Sequence, residues 1–230
     1  MDYKLFSILT LATTLIACGS DSSDPDLPDP PKVVTNFITL GFDIQIYQRK
    51  ESTSLNADSF LRGEVYSGRS PLTYRDVIIG LDTQTESIQI TAHNSTFQLF
   101  SLIKKAYALS PAPPETEEAI KSITITSAYD FNDEYPSGSS LNEFFLVTNT
   151  SIGNQFYTYN NDVRTYFNVN KFIEVNSKND MAHVGFALDF VLNKEPQLTN
   201  NITFYIKIEL DNGEIFSMET PEVTYKPTGQ

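Results

Sequence analysis

Residues 38–47 have the sequence Ile-Thr-Leu-Gly-Phe-Asp-Ile-Gln-Ile-Tyr, in which apolar and polar side chains alternate. Successive side chains of a β-strand point to opposite faces, so this pattern predicts a strand with one apolar face. The residues of that face are Ile38, Leu40, Phe42, Ile44 and Ile46. The stretch therefore predicts a half-buried strand.

Two further segments alternate in the same way. Residues 202–210 place apolar side chains on one face, and Asp211-Asn212-Gly213 follows them. Asn-Gly between alternating runs predicts a hairpin with a type I′ turn and a return strand over residues 214–219. Residues 184–192 form the other alternating strand. Shorter strands are predicted at residues 77–81, 86–91, 97–103, 122–127 and 155–159.

Helical signals are few. Ser140 and Glu143 have the spacing of a capping box, which predicts one short helix at this point. A turn of helix is predicted over residues 115–121, and residues 163–175 fit a helix or a strand. Many strands with few helices predict an all-β fold, a largely antiparallel β-sandwich (Ig-like or related) with one or two short helices.

Residues 32–230 are predicted to form this β-sandwich as one domain. The alternative is two small domains joined at residues 110–115, where three prolines interrupt the chain. We favour a loop within one domain, because the stretch is short and residues 33–106 are few for a domain of their own.

The composition excludes several classes of protein. The 230 residues include one Cys, two His and no Trp, and their formal net charge is −13. One Cys rules out a disulfide framework and a Cys-rich zinc site. The acidic balance argues against a basic nucleic-acid surface. A hydrophobic content of 40% is enough to build a core, which argues against disorder throughout.

Residues 1–17 are predicted to be a lipoprotein signal peptide. An apolar stretch of thirteen residues follows Lys4. As a helix it would be roughly 20 Å long, too short for the ~30 Å core of a bilayer. Leu15-Ile16-Ala17-Cys18 resembles the lipobox of bacterial lipoproteins. The resemblance implies cleavage before Cys18 and attachment of diacylglycerol and an N-acyl chain to it. A single acyl chain binds membranes only reversibly, so the further chains would make the anchor stable.

Residues 18–31 are predicted to be the lipidated Cys18 and an acidic, Pro-rich tether. Residues 19–31 contain four Asp and four Pro with one aliphatic side chain, so they cannot build a core and stay extended. Gly19, in place of Asp after the lipidated Cys, favours the outer membrane under the familiar sorting rule. The acidic run resembles the export tag of Bacteroidetes surface lipoproteins, and a plain acidic linker is the alternative.

Residues 122–132 and 135–145 combine several short motifs. They contain a strand ending in Thr-Ser, an Asp-Phe-Asn turn, Tyr-Pro-x-Gly and then Leu-Asn-x-x-Phe. Together with the closing hairpin of residues 204–220, this succession resembles a family of Bacteroidetes cell-envelope lipoproteins with a domain of unknown function. The resemblance implies a location and a fold class, and it implies no activity.

Oxygen-bearing side chains cluster in one predicted turn, at Asp130, Asn132, Asp133 and Glu134. Ca²⁺ takes oxygen ligands of this kind, so the turn is a candidate metal site. An EF-hand loop that starts at Asp130 fails, because neither its Gly nor its Glu position is filled. We favour an Asx-rich turn exposed to solvent, and we predict no cofactor.

Catalytic motifs are missing from the sequence. His93 and His183 lie in predicted strands, and no H-E-x-x-H or G-x-S-x-G motif is present. A Ser-His-Asp triad assembled only in the fold is the alternative. Alternation places Asp189 on the face opposite Phe186 and Phe190, which predicts a solvent-facing carboxylate. We therefore predict no catalytic residue.

Tyr157, Tyr159 and Tyr166 lie in a stretch rich in Asn, a composition that suits adaptable recognition surfaces. They are the candidate binding residues. The lack of Trp argues against a sugar-stacking platform, although Tyr can take its place.

The predicted function is a membrane-anchored lipoprotein of the outer membrane, exposed at the cell surface, that acts as a non-catalytic binding or interaction module. Its expected partners are the membrane, through Cys18, and a protein or glycan, with no nucleic acid. The alternatives are a hydrolase acting on polysaccharide or peptide, and a structural subunit of an envelope complex.

Overall fold

The computed structural model describes residues 32–50, 60–92, 116–151, 153–161, 163–178, 182–198 and 200–226. The predicted signal peptide, Cys18, the tether, His93, the strand predicted at residues 97–103 and the segment at residues 110–115 lie outside the described residues. Within those ranges, no helix combines the length and the apolar character that crossing a bilayer requires.

Strands make up most of the described chain. They are β1 (Lys32–Lys50), β2 (Leu61–Val65), β3 (Val77–Ala92), β4 (Ile120–Ser127), β5 (Phe145–Thr150), β6 (Tyr157–Asn160), β7 (Val163–Tyr166), β8 (Ala187–Leu192), β9 (Asn201–Ile202), β10 (Phe204–Leu210), β11 (Ile215–Glu219) and β12 (Val223–Thr224). One α-helix, α1 (Val169–Ser177), and two 3-10 turns, Tyr74–Asp76 and Asn142–Phe144, accompany them.

The strands form two main antiparallel sheets. The larger has the order β2-β1-β3-β8-β5, the smaller has the order β11-β10-β4, and β12-β9 and β6-β7 are two-stranded ribbons. Alternate side chains of both sheets meet in one hydrophobic cluster, where Phe145 of one sheet packs edge-to-face on Phe204 of the other at 5.1 Å. The prediction of an all-β sandwich is confirmed.

β1 confirms the strand predicted at residues 38–47 but corrects its apolar face. The pairing of β1 with β3 shifts between Thr39 and Gly41, which marks a β-bulge. A bulge adds one residue to one strand and so reverses the alternation on its two sides. Leu40 is therefore 54% exposed, while Thr39 is buried and donates two hydrogen bonds to Oε2 of the buried Glu118. Ile46, beyond the bulge, lies in the core as predicted.

The C-terminal hairpin is present where the sequence predicts it, but its turn type is different. A type I′ turn needs positive φ at both central residues. In this hairpin Gly213 has a φ of 91°, and Asn212 is not among the described residues with positive φ. Leu210 and Glu214 close the turn through an N–H to O bond of 2.9 Å. This is a three-residue loop with glycine at its left-handed position.

The predicted capping box at Ser140 does not form. Only the 3-10 turn Asn142–Phe144 occurs, and Leu141 precedes it without a side-chain cap. The Asn142 amide instead accepts from the Ile125 N–H and donates to the Ile123 carbonyl. It thus pairs with the edge of β4 as a strand would, and the chain leaves directly into β5.

The structure corrects one of the two other helix predictions and settles the second. Residues 116–121, predicted as a turn of helix, are extended and enter β4, with Ile120 in the core. The ambiguous residues 163–175 contain both elements, β7 followed by α1. The side chain of Asn168 caps α1 by accepting from the Lys171 N–H at 2.9 Å.

Replacement of Gly213 by Ala is expected to destabilise the domain by about 1 kcal/mol, because an L-residue in the left-handed region crowds its own carbonyl. Gly213→Asn should cost less, since Asn tolerates this conformation better. Urea denaturation of the three proteins measures the difference. Equal stability of all three would contradict the assignment of the turn.

Candidate functional site

The five-stranded sheet buries side chains on both faces. Tyr47, Ile78 and Val191 are neighbours in register on the face turned away from the main core. Ile78 and Val191 are 0% and 1% exposed, yet they lie outside the main hydrophobic cluster. An antiparallel sheet of this kind commonly leaves one face to solvent, so the burial of this outer face needs an explanation.

Arg62 of β2 lies across the outer face and joins four of the five strands. Its Nε donates to Oδ1 of Asp189 on β8 at 2.7 Å, and its Nη1 donates to Oδ1 of Asp82 on β3 at 2.6 Å. Its Cζ is 4.8 Å from the centroid of the Tyr47 ring on β1. Asn149 Nδ2 on β5 donates to the second Asp189 oxygen at 3.3 Å. We call Tyr47, Arg62, Asp82, Asn149 and Asp189 the charge cluster.

Gly80 makes room for the guanidinium. A Cβ at this position would lie 2.7 Å from the Tyr47 ring and 2.8 Å from Arg62 Cζ, closer than side chains tolerate. Gly80 therefore leaves the space in which the Arg62 guanidinium lies over the Tyr47 ring.

The prediction that Asp189 faces solvent is wrong. The alternation itself is correct, but β2 folds over the opposite face, and the Asp189 side chain is only 2% exposed. Burial raises the pKa of the Asp189 carboxyl, while the hydrogen bond and charge of Arg62 oppose this shift. Burial also acts to lower the pKa of Arg62, but its bonds to Asp189 and Asp82 prevail and raise it. The two charges therefore stabilise each other in a poorly solvated place.

A ring contact closes the outer face from the other side. Phe60, just before β2, meets Tyr166 of β7 edge-to-face at 5.4 Å. β2 and β5 are the outermost strands of the sheet, which at ~4.8 Å per strand stand roughly 19 Å apart in a flat sheet. β7 runs beside β5, because the Val147 N–H donates to the Phe167 carbonyl just after β7. The contact therefore means that both margins of the sheet curl over its outer face.

The three tyrosines singled out from the sequence come together on the β6-β7 ribbon. Tyr157 pairs with Tyr166, and Tyr159 pairs with Arg164, so all four side chains share one face. The ring centroid of Tyr157 lies 5.5 Å from the ring centroid of Tyr159 and 6.2 Å from that of Tyr166. Phe156 adds a fourth ring at 4.9 Å from Tyr157. We call Phe60, Phe156, Tyr157, Tyr159 and Tyr166 the aromatic cluster.

Two arginines, which sequence reasoning missed, border the aromatic cluster. Arg164 Cζ lies 4.6 Å from the Tyr157 ring centroid, and Arg164 Nη1 donates to the Tyr166 hydroxyl at 3.3 Å. Arg49 Cζ lies 4.3 Å from the Phe60 ring centroid. A hydrogen bond and the charge of Arg164 lower the pKa of the Tyr159 phenol. The i, i+2 spacing of Arg164 and Tyr166 was the signal that could have revealed this face.

The ribbon that carries the aromatic cluster is fixed at its base. The buried Asn176 of α1 accepts from the Gln155 N–H at 2.8 Å and donates to the Gln155 carbonyl at 2.6 Å. The Phe167 N–H donates to the Phe156 carbonyl at 2.9 Å. At the far end, Asn161 has a φ of 49°, a conformation that Asn adopts more readily than most residues. The tyrosines therefore project from a braced support, and Tyr159 remains 60% exposed.

In the candidate metal turn, Asn132 and Asp130 accept backbone hydrogen bonds within the turn, whereas Asp133 and Glu134 are exposed. Asn132 Oδ1 accepts from the backbone N–H groups of Glu134 and Tyr135, at 3.0 and 2.9 Å. Asp130 Oδ1 accepts from the Ser137 N–H at 2.7 Å. In the described ranges no group of three or more His, Cys, Asp or Glu is arranged to hold a metal ion. These side chains shape the turn that leads to β5.

His183 forms an antiparallel β-bridge with Ala119, the residue just before β4. Its Nδ1 is buried and has no hydrogen-bond partner among the described residues. The Asn154 side chain donates to the His183 carbonyl at 2.9 Å. The described contacts of His183 are therefore made by its backbone. Among the described residues, no Ser or carboxylate forms a hydrogen bond with its Nδ1, as a catalytic triad would require.

The described residues form two open clefts, of which one adjoins the aromatic cluster. One, of about 460 Å³, lies between β1 and β2 and borders the aromatic cluster through Arg49. Its lining residues are Gln48, Arg49, Lys50, Arg62, Gly63 and Glu64. The other, of about 420 Å³, lies on the outer face of the three-stranded sheet around Tyr205 and Lys207. The first joins the aromatic cluster to a basic margin, whereas the second stands apart from both clusters.

No protein-family model, curated protein or solved structure matches this chain. Its candidate site therefore rests on the geometry described above.

Replacement of Arg62 by Met is expected to lower the free energy of unfolding by about 3 kcal/mol at neutral pH, because it leaves Asp189 buried and unpaired. Arg75→Met, at an exposed arginine beside Tyr74, should change it by less than about 0.5 kcal/mol. The loss in Arg62→Met should shrink as the pH falls. A carboxyl whose pKa is raised by folding takes up its proton in the folded state first, so acid restores stability until the unfolded carboxyl, at ~3.9, also protonates.

Urea titrations between pH 4 and 7.5 measure these effects. Asp189→Asn in the Arg62→Met background removes the stranded charge and should recover part of the loss. A double variant no more stable than Arg62→Met would show that the ion pair does not hold the outer face closed.

Proposed function

We propose that this chain is a lipid-anchored lipoprotein of the cell envelope whose β-sandwich is a non-catalytic binding module. The observation that carries the proposal is the aromatic cluster with Arg164 at its centre. Exposed Tyr and Arg side chains on a braced support are the groups that dominate binding surfaces.

The anchoring part of the proposal rests on the sequence. Cys18 follows an apolar stretch and the Leu-Ile-Ala triplet, and an acidic tether separates it from β1. We assign the chain to the outer membrane because Gly19 follows Cys18. The extended tether favours exposure at the cell surface, where the family resemblance of residues 122–145 also points.

The binding part is supported by the roles of the acidic side chains. Asp82 and Asp189 are two carboxylates of the outer face, and the Arg62 guanidinium forms an ion pair with each of them. Glycoside hydrolysis needs two carboxylates that face an accessible sugar. With one of them 2% exposed and both engaged by Arg62, this pair favours a structural role over catalysis.

Replacement of Cys18 by Ala is expected to abolish lipid attachment and to move the protein from the membrane fraction to the soluble fraction. Metabolic labelling with palmitate and cell fractionation in a bacterium that processes lipoproteins measure both effects. Ser20→Ala, two residues along the tether, is the matched control and should remain labelled. Labelling that persists in Cys18→Ala would overturn the anchor.

Binding by the aromatic cluster is tested with the full chain and a panel of immobilised neutral oligosaccharides, acidic oligosaccharides and peptides. For each ligand that binds, we expect Tyr159→Ala to lower the affinity about tenfold, which is ~1.4 kcal/mol of binding free energy. Tyr205→Ala, at a tyrosine 43% exposed on the other sheet, is the control and should bind as the wild type does. If no member of the panel binds, or if Tyr159→Ala binds equally well, the binding function is wrong.

A further inference from the structure

Arg164 differs from the other arginine of the outer face in what surrounds it. Arg62 is neutralised by two carboxylates, whereas in the described part of the chain no carboxylate lies within ion-pair distance of Arg164. Its described partners are the rings of Tyr157 and Tyr166 and the phenol groups of Tyr166 and Tyr159. The tyrosines hold the guanidinium in place without neutralising it. This arrangement leaves a positioned cation for an anionic ligand.

The guanidinium favours one kind of anion. Its planar fork of N–H donors matches the two oxygens of a carboxylate or sulfate group. A dense polyanion such as a nucleic acid requires several cationic contacts and would be repelled by a chain of net charge −13. One restrained arginine therefore suits a ligand whose charges are widely spaced.

The rings and amides beside Arg164 indicate the rest of the ligand. Tyr159 presents a ring that is 60% exposed. Its neighbour Tyr157, whose ring lies under Arg164, is perpendicular to it at 85° and supports it edge-to-face. Asn160 and Asn161 are exposed at the end of the ribbon. Amide groups both donate and accept hydrogen bonds, as sugar hydroxyls do. A saccharide, with apolar ring faces and a rim of hydroxyls, fits both sets of groups.

Basic side chains continue beyond the ribbon. Arg49 lies at the margin of the outer face, where its guanidinium covers the Phe60 ring, whereas the charge of Arg62 is neutralised by Asp82 and Asp189. Arg49 and Lys50 line the 460 Å³ cleft, which joins the aromatic cluster through Phe60. A ligand longer than one sugar would reach this cleft.

We infer that the aromatic cluster and Arg164 bind an anionic oligosaccharide. Tyr159 packs against a sugar ring, and Arg164, held over the Tyr157 ring, binds the carboxylate or sulfate group. This inference rests on the proposed binding function and names the ligand class of that same surface.

Calorimetric titration of the full chain tests the inference with four probes. They are a hexasaccharide that carries one uronate residue, the methyl ester of that uronate, a neutral hexasaccharide and the same hexasaccharide with one sulfate group. We expect at least one anionic probe to bind tenfold or more tightly than its uncharged counterpart, and we expect added salt to weaken it. The carboxylate and sulfate arms show which anion Arg164 prefers.

Arg164→Gln should remove the preference for the anionic probe, and Arg164→Lys should restore only part of it, since Lys keeps the charge but lacks the fork. Arg75→Gln is the matched control, because Arg75 also lies over a tyrosine ring, at 5.5 Å from the Tyr74 centroid, outside the aromatic cluster. Circular dichroism verifies that each variant is folded.

Equal binding of charged and uncharged probes, lost in Tyr159→Ala, would overturn the anionic class and leave the binding function standing. Binding of peptides in the panel above, with no oligosaccharide bound, would do the same. An anionic preference that survives Arg164→Gln would also overturn the inference.

Discussion

The outer face of the five-stranded sheet depends on one ion pair, between Arg62 and Asp189. A guanidinium from the marginal strand β2 reaches over β1 and β3 to a carboxylate of β8, and this contact closes a face that would otherwise lie in water. The arrangement works only because Gly80 leaves the space and Tyr47 supplies a ring for the cation. Because β2 covers this face, Phe60, which directly precedes β2, contacts Tyr166. The position of β2 therefore determines both the charge cluster and part of the aromatic cluster.

Arg62 and Arg164 show how surroundings decide a role. Arg62 is paired with carboxylates and is part of the support. Arg164 lies on tyrosines, whose rings and hydroxyl groups hold the guanidinium without cancelling its charge. In a strongly acidic chain, such a site concentrates positive charge on one small area while the molecule as a whole repels polyanions. If the aromatic cluster binds an anionic saccharide, this contrast favours one that carries few, widely spaced charges.

The sequence predicts the strands well because burial against a single core imposes a period of two. The alternation of residues 202–210 appears unchanged in β10, where Phe204, Ile206 and Ile208 are all buried. Predictions failed where a long-range contact overrides the local pattern. Leu40 turns outward because a bulge lets Thr39 meet Glu118, which is 79 residues away. Asp189 is buried because β2, 127 residues earlier in the chain, folds onto it. The composition of residues 154–168 pointed to the three tyrosines. Their arrangement around Arg164 depends on a turn at Asn161, which no Gly or Pro in the sequence indicates.

The length of β1 sets where the ligand surface stands relative to an anchor. β1 begins at Lys32, directly after the tether, and ends at Lys50, which lines the basic cleft. Nineteen residues of strand at ~3.3 Å each extend for on the order of 60 Å. In a chain held at Cys18, this paired strand would act as a stiff spacer between the anchored end of the domain and the cleft. The Lys50 end of this strand, where Arg49 contacts Phe60 of the aromatic cluster, would then lie a whole strand length from the end that joins the anchor.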